Sequence, residues 1–481
     1  MRWIVSLWFM FVITAAEAQQ VMSFEEALQR VTQSNRAISS ARYGVDAARR
    51  EYSAARGLRA PQVELMGGYT LMQRDMTVDL GGAKGVVTES LEDLIYKGVE
   101  QGLISSTIAT LLGEGLAPVK DADWSYTLQR RNFGFVGTTV TLPIYLGGRI
   151  NSANRVAELE VESANNRLSG VESALVTELV ERYYGVILAR EVVGVRSSVV
   201  EGVKQHLSDA LAMESEGLLP HSAILYLEYR LSDAERDYVD AVNRLDIAEQ
   251  ALRTTLQMNV DIVPQEAMFI VPSIADIEYF KASALRLNPI IVETNLAQSL
   301  SVEGVAMAKS ELLPEVVAMG GVSLYSHNLS DIVPRWAVGV GVSLPILGGL
   351  SRQQNYKGAE YRARSVTEIV EKSKEDILLL VDREYYSLQN SALSIRACER
   401  SITFAQSYYL TALEGFREGV TSSSDLMDAR IALAGARVEY LNAVYDYMLY
   451  LARLLEVAGL SGEFMDYKSC AEIVDINNVI L

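Results

Sequence analysis

The sequence predicts a mainly α-helical chain with a membrane β-barrel part, in which long coiled-coil helical hairpins join four membrane strands per subunit. Three observations carry this. The same arrangement occurs twice along the chain. Each copy holds two runs with strand periodicity. Each also holds a helical run far longer than a globular domain needs.

The duplication comes first because it organises the rest. Sliding the chain by 253 residues lays Asn35 on Asn288, Pro61 on Pro314, and Met66-Gly67-Gly68 on Met319-Gly320-Gly321. Further on the offset drops to 202 and holds: Pro143 meets Pro345, Gly147 meets Gly349, Tyr183-Tyr184 meets Tyr385-Tyr386, and Glu216-Gly217 meets Glu418-Gly419. The drop places an insertion of 51 residues in the first copy, at about 72–130. The expected divisions are an export signal at 1–18, a first repeat at 19–262, a second at 263–460 and a tail at 461–481.

Each copy opens with a helical segment, about 23–59 and 276–312, stopped before Pro61 or Pro314, since the residue before proline disfavours the helix. Two extended runs follow. In Trp336 to Leu344 large apolar residues alternate with Ala, Gly and Ser, the period of a half-buried strand. Its counterpart is Phe133 to Leu142. The preceding strands run from about Gln62 to Leu71 and from Glu315 to Tyr325. About 9–11 residues suffice for a tilted strand to cross a bilayer. Tyr69, Trp124, Tyr126, Phe133, Tyr325 and Trp336 cluster around them, as interfacial girdles do. The alternative is a small soluble sheet packed on helices, but that would not need small residues along a whole face.

The long helices begin after the Gly-Gly pairs and run to Gly217 and Gly419. Val161, Leu168 and Leu175 fall at heptad spacing, matched by Ala363, Val370 and Ile377, among Glu, Ser, Asn and Arg. That is a coiled-coil seam. A final helix follows each, at about 221–257 and 422–458, with Ser222 and Ser424 as expected N-caps.

The amino terminus reads as an address. Arg2 precedes an apolar run from Trp3 to Ala15, and Ala16-Glu17-Ala18 fits a small-x-small cleavage site. A membrane anchor is the alternative, but a spanning helix needs about 20 apolar residues. The net charge of −18 argues against nucleic acid. Cys398 and Cys470 are the two cysteines, and both a disulfide and two free thiols fit. The three histidines, His206, His221 and His327, have no metal-ligand spacing, and no phosphate loop or nucleophile elbow appears. No enzyme, cofactor or metal is therefore expected.

Four strands cannot close a barrel, and open edges are not tolerated in lipid. Several copies must contribute: two would give eight strands and a filled interior, three would give twelve and room for a lumen. A tube that crosses the membrane and continues for about 100 Å is a conduit.

The sequence resembles the outer-membrane efflux proteins, the TolC-like duct family, over about 22–460. The resemblance rests on the duplicated helix–hairpin–helix order and on Leu-Pro-Ile followed closely by Gly-Gly after each strand pair. It rests also on the turn from Glu418-Gly419-Val420-Thr421 through Ser424-Asp425-Leu426-Met427-Asp428-Ala429. It implies a homotrimer with a twelve-stranded barrel in the outer membrane and an α-helical periplasmic tube. It also implies a periplasmic adaptor (membrane fusion) protein and an inner-membrane pump, of resistance-nodulation-division or ABC type, as partners. The implied function is passive conduction in multidrug efflux or type I secretion. A non-conducting coiled-coil envelope adaptor or adhesin is the rival from another class.

The resemblance makes Gly217, Leu218, Gly419 and Val420 the adaptor-contacting tips. It makes Asp425 and Asp428 a ring of carboxylates at the narrowest part of the pore. The alternative for these acids is a solvated helix start that opposes the helix dipole. The sequence departs from the family's familiar pattern at Ala223, the counterpart of Asp425, and at Thr421, where an arginine would stand. No salt bridge holding the tube shut is expected there, and Phe416 is the candidate for an apolar constriction instead.

Overall fold

The computed structural model describes residues 20–346 and 349–474. The expected export signal, the pair Leu347-Gly348 and the end of the tail lie outside the described residues.

In chain order the elements are β1 (Gln20–Met22), α1 (Phe24–Ser34), α2 (Arg36–Gly57), β2 (Gln62–Leu71), β3 (Met76–Asp79), α3 (Gly81–Glu100), α4 (Ser106–Asp121), β4 (Ser125–Gln129) and β5 (Asn132–Leu146). The long helices α5 (Arg149–Ser215) and α6 (His221–Leu256) follow, then β6 (Ile262–Pro264) and β7 (Phe269–Ile270). The second round runs α7 (Ile277–Leu287), α8 (Pro289–Ser310), β8 (Glu315–His327), β9 (Trp336–Ser343), α9 (Gly349–Arg417) and α10 (Ser423–Ala458). The chain closes with α11 (Phe464–Ser469) and β10 (Glu472–Ile473). Two compact units result, one of residues 53–154 with 306–357, the other of the remaining segments.

The first unit holds an antiparallel sheet in the order β2-β5-β8-β9. Gln62 lies opposite Thr141 and Leu71 opposite Asn132, while Val316 to Val322 run against Val342 to Trp336. One side of the sheet carries most of the large apolar residues; the other carries smaller or polar ones together with Met66 and Met319. On β2, Val63, Leu65, Tyr69 and Leu71 alternate with Glu64, Gly68 and Thr70; on β9, Trp336, Val338, Val340 and Val342 alternate with Ala337, Gly339, Gly341 and Ser343. These large side chains are all exposed, Val338 at 77% and Leu71 at 73%. Gly320 makes room for one of them, since a Cβ there would stand 3.2 Å from Val338. The outer edges of β2 and β9 pair with no strand among the described residues.

The insertion is a β3–β4 hairpin carrying the helices α3 and α4. Between them the chain breaks at Gly102, at φ +71, and Ser105 caps α4 by accepting from Ile108 N at 3.3 Å.

The second unit is helical. α5 and α9 have 67 and 69 residues, about 100 Å each at 1.5 Å per residue. The expected seam is buried at Leu175, Val370 and Ile377 and continues on α9 through Leu388, Ile395 and Ile402, seven apart. At mid-length Phe24, Tyr183, Tyr184, Phe269 and Phe464 form a buried aromatic cluster with ring centroids 5.2–6.0 Å apart.

The opening helical segment of each repeat is two helices, not one. Asn35 and Asn288 interrupt them in extended conformation, at ψ 134 and 126. Each side-chain carbonyl caps the next helix: Asn35 Oδ1 accepts from Ala37 N at 2.7 Å, and Asn288 Oδ1 from Ile290 N at 2.8 Å. A short acceptor that competes with the backbone offers the chain a cap in place of another helical turn. Pro289, directly after Asn288, reinforces the second break.

Candidate functional site

Both long hairpins turn at a glycine in the left-handed conformation, Gly217 at φ +74 and Gly419 at φ +75. Leu218 N donates to Met213 O and Gly217 N to Glu214 O, both at 2.8 Å; Val420 N donates to Gly415 O at 2.8 Å and Gly419 N to Phe416 O at 3.1 Å. These are paired C-terminal caps that satisfy the last carbonyls of a helix. They leave Leu218 69% and Val420 79% exposed. The four residues expected at the tips thus form two alike turns, each offering one bare apolar side chain.

The helices after these turns start within a residue of the expected positions, but their N-caps lie two residues earlier than expected. Pro220 stands at the N-cap of α6, and Ser422 at that of α10. Ser422 and Pro220 are counterparts in the repeat, whereas Ser222 and Ser424 already lie inside the first helical turn. The reason is the tightness of the turn: the chain leaves the glycine cap and re-enters a helix within four residues.

Ser422 Oγ accepts from Asp425 N at 3.1 Å and lies 2.6 Å from Asp425 Oδ2. Asp425 is therefore an exposed carboxylate in the first turn, favoured by the helix dipole. Asp428 is differently placed. Its Oδ1 is 2.5 Å from Arg230 Nη2 and 3.4 Å from the Tyr226 hydroxyl, while Arg230 Nε donates to Tyr226 Oη at 2.8 Å. The Arg230 guanidinium also lies over the Tyr226 ring, 5.2 Å from its centroid. The bond to Tyr226 raises its pKa most; Asp428 adds to this against the cost of burial. A salt bridge does join the two hairpins near their tips, from α6 to α10. It does not involve Ala223 or Thr421. Thr421 instead returns to its own hairpin, its N donating to Gly415 O at 3.1 Å.

Phe416 is 8% exposed, with its ring edge-on to His206 at 4.6 Å between centroids. The expected apolar constriction meets a side chain engaged in packing between α5 and α9. His206 is itself 5% exposed and bonds through Nε2 to Ser423 Oγ at 2.8 Å. Burial holds its pKa below the ordinary value, and Arg430 pushes the same way. Sequence reasoning missed Arg230, Tyr226 and His206. Tyr226 was findable, because it is the repeat counterpart of Asp428; His206 shows no sequence signal once metal spacing fails.

Cys398 and Cys470 are free, the former half-buried and the latter exposed. Among the described residues no group of acidic, histidine or cysteine side chains could hold a metal, and no helix is long and apolar enough to cross a membrane.

The family model for outer membrane efflux proteins matches residues 282–460. The chain is 23% identical over 312 residues to the outer membrane protein TolC of Escherichia coli, covering 61% of this chain and 62% of that protein. It is 22% identical over 310 residues to the alkaline protease secretion protein AprF of Pseudomonas aeruginosa, covering 62% of this chain and 64% of that one. The chain thus spans less than two thirds of the length of these relatives. Among solved structures, the outer-membrane channel OprN superposes with a TM-score of 0.71 at 16% identity, covering 91% of this chain and 89% of that one. The CusC channel superposes at 0.70 and 15%, covering 91% and 92%. The fold is that of these helical, part-barrel channels, and residues 282–460 carry the match to the outer membrane efflux proteins.

Proposed function

We propose that this chain is the channel subunit of a tripartite efflux or secretion system, conducting substrates passively from an inner-membrane pump across the periplasm and outer membrane. The observation that carries this is the four-stranded sheet with two unpaired edges and an exposed apolar side. Such a sheet is stable in lipid only when closed. Head-to-tail pairing of β9 on one copy with β2 on the next closes a ring, and three copies supply twelve strands. A periplasmic adaptor would grip the turns at Gly217, Leu218, Gly419 and Val420, where bare apolar side chains end the hairpins. The pump chooses the substrate.

The gate in this reading is Asp425 and Asp428 with the Arg230 tie. Three copies gather six carboxylates around one axis, and gathered like charges attract cations. Arg230 offsets Asp428, so Asp425 carries most of the free charge. Phe416 acts behind the ring, holding the turn by packing.

The test is conductance of the purified protein in planar bilayers with a trivalent cation added. Small cation-selective currents, blocked in wild type and not in Asp425→Asn, support duct and ring together. Equal block in both variants sinks the ring and leaves the duct. No current, with a monomer in detergent, sinks the duct.

A further inference from the structure

Helices α5, α9 and α10 line a half-open cavity of about 170 Å³ whose polar lining includes Ser198, Gln406, Tyr409, Arg430 and Arg437. A water molecule takes about 30 Å³ of liquid, so the space holds a tetrahedral ion with water to spare. The lining contains two arginines and no carboxylate. Arg437 is 8% exposed, and its Nε has no hydrogen-bond partner among the described residues. Arg430 donates from Nη2 to the Tyr409 hydroxyl at 2.6 Å and lies 5.1 Å from that ring's centroid, but its Nε is equally unpartnered. The site has been given room: a Cβ on Gly202 would fall on the Arg430 guanidinium, 0.8 Å from Nη1.

Two guanidinium groups two turns apart on α10 line one half-open cavity. An arginine cannot relieve such burial by losing a proton. A buried charge is ordinarily paired, and removal of its partner is strongly destabilising. Among the described residues no carboxylate lines the cavity, and neither arginine is in an ion pair. The unpartnered Nε–H groups of two planar cations, with Gln406 beside them, match the oxygens of a tetrahedral anion, which guanidinium binds in forked geometry, while the Ser198 hydroxyl donates to Val195 O at 2.7 Å.

We propose that the cavity between α5, α9 and α10 is a binding site for a small oxyanion of the phosphate class, held by Arg430 and Arg437. The bound ion links both long hairpins, since α5 belongs to one and α9 and α10 to the other. The proposal is independent of conduction and stands or falls without it.

The test uses the purified full-length protein in detergent, in buffer free of phosphate and sulfate at constant ionic strength. Inorganic phosphate is added to about 10 mM while Tm is recorded, because a ligand that binds the folded state raises Tm by mass action. Equilibrium dialysis with radiolabelled phosphate counts bound ions. The expected result is a rise of several degrees with about one ion per chain. Arg437→Met should lose both responses, and without phosphate it should be at least as stable as wild type, because an unpaired buried charge has gone. Arg430→Met, less buried, is the second variant if the first does not fold. Three outcomes overturn the proposal. One is no shift and no bound phosphate in wild type. Another is an unchanged response in the variants, which leaves an adventitious ion only. The third is a phosphate-insensitive wild type whose oligomer falls apart on Arg437→Met, which assigns the counter-charge to a carboxylate of a neighbouring copy.

Discussion

Arg230 and Asp428 meet at 2.5 Å, one from each long hairpin, nine residues past the tip glycine of the second and thirteen past that of the first. The arginine is the better covered of the two, its side chain 23% exposed against 57% for the aspartate. Such a half-exposed pair is worth about 1 kcal/mol after screening. That is enough to change an open population roughly fivefold. Arg230→Ala and Asp428→Ala should therefore each raise single-channel open probability by a fewfold in planar bilayers. The double variant should do no more than either alone. Additive effects would show that the two residues act separately.

A pH dependence follows from His206. Its folded pKa lies below the value in the unfolded chain, chiefly through burial and also through Arg430, while Asp209 opposes the shift. The unfolded state then binds more protons between the two values, so stability rises with pH across that window. The contribution is complete above the unfolded pKa and is lost as pH falls through about 6.5 towards the folded pKa. Tm of the wild type should fall more steeply between about pH 7.5 and 5.5 than that of His206→Gln. Hydrogen exchange should place the early loosening at the turn around Phe416 and Ser423, which His206 touches. Parallel Tm curves would remove the histidine from the account.

Asn35 and Asn288 make the same two bonds in the two repeats. Besides capping, Asn288 Nδ2 donates to Val457 O at 2.8 Å and Asn35 Nδ2 to Thr255 O at 3.4 Å. Both asparagines are buried, so replacement by alanine strands a carbonyl and removes a cap, costing about 1–3 kcal/mol each. Asn288→Ala should cost more, because its bonds are shorter. Asn→Asp at each site keeps the acceptor and loses the donor, which separates the two contributions in thermal melts.

The left-handed glycines fall into two classes. A Cβ at Gly459 would sit 2.7 Å from the backbone of Leu287, whereas nothing lies within 4 Å at Gly217 or Gly419. Gly459→Ala should be severely destabilising. Gly217→Ala and Gly419→Ala should cost only the conformational term, about 1 kcal/mol. At the same tips Leu218→Asp and Val420→Asp should leave Tm unchanged and abolish binding of the proposed periplasmic adaptor in pull-down. Retained binding would move the adaptor surface elsewhere.

Much of the chain was legible without coordinates, wherever a pattern recurs along it. Strand bounds at β2 and β9 follow from period-two alternation, because a pleated strand exposes alternate faces. The length of α5 and α9 follows from heptads, because a long helix must bury a seam. Both tips follow from the duplicated Glu-Gly.

The tertiary structure alone decided the pairings that carry chemistry. Burial of Phe416 against His206 depends on a partner 210 residues away. The tie of Arg230 to Asp428 crosses between hairpins about 200 residues apart in the sequence, and the carboxylate-free surroundings of Arg437 arise from three helices that converge in space. Periodicity reports which face a residue occupies, since it is a property of one element's geometry. Which side chain waits on the opposing face is set by packing between elements, and a single chain read in order carries no record of that.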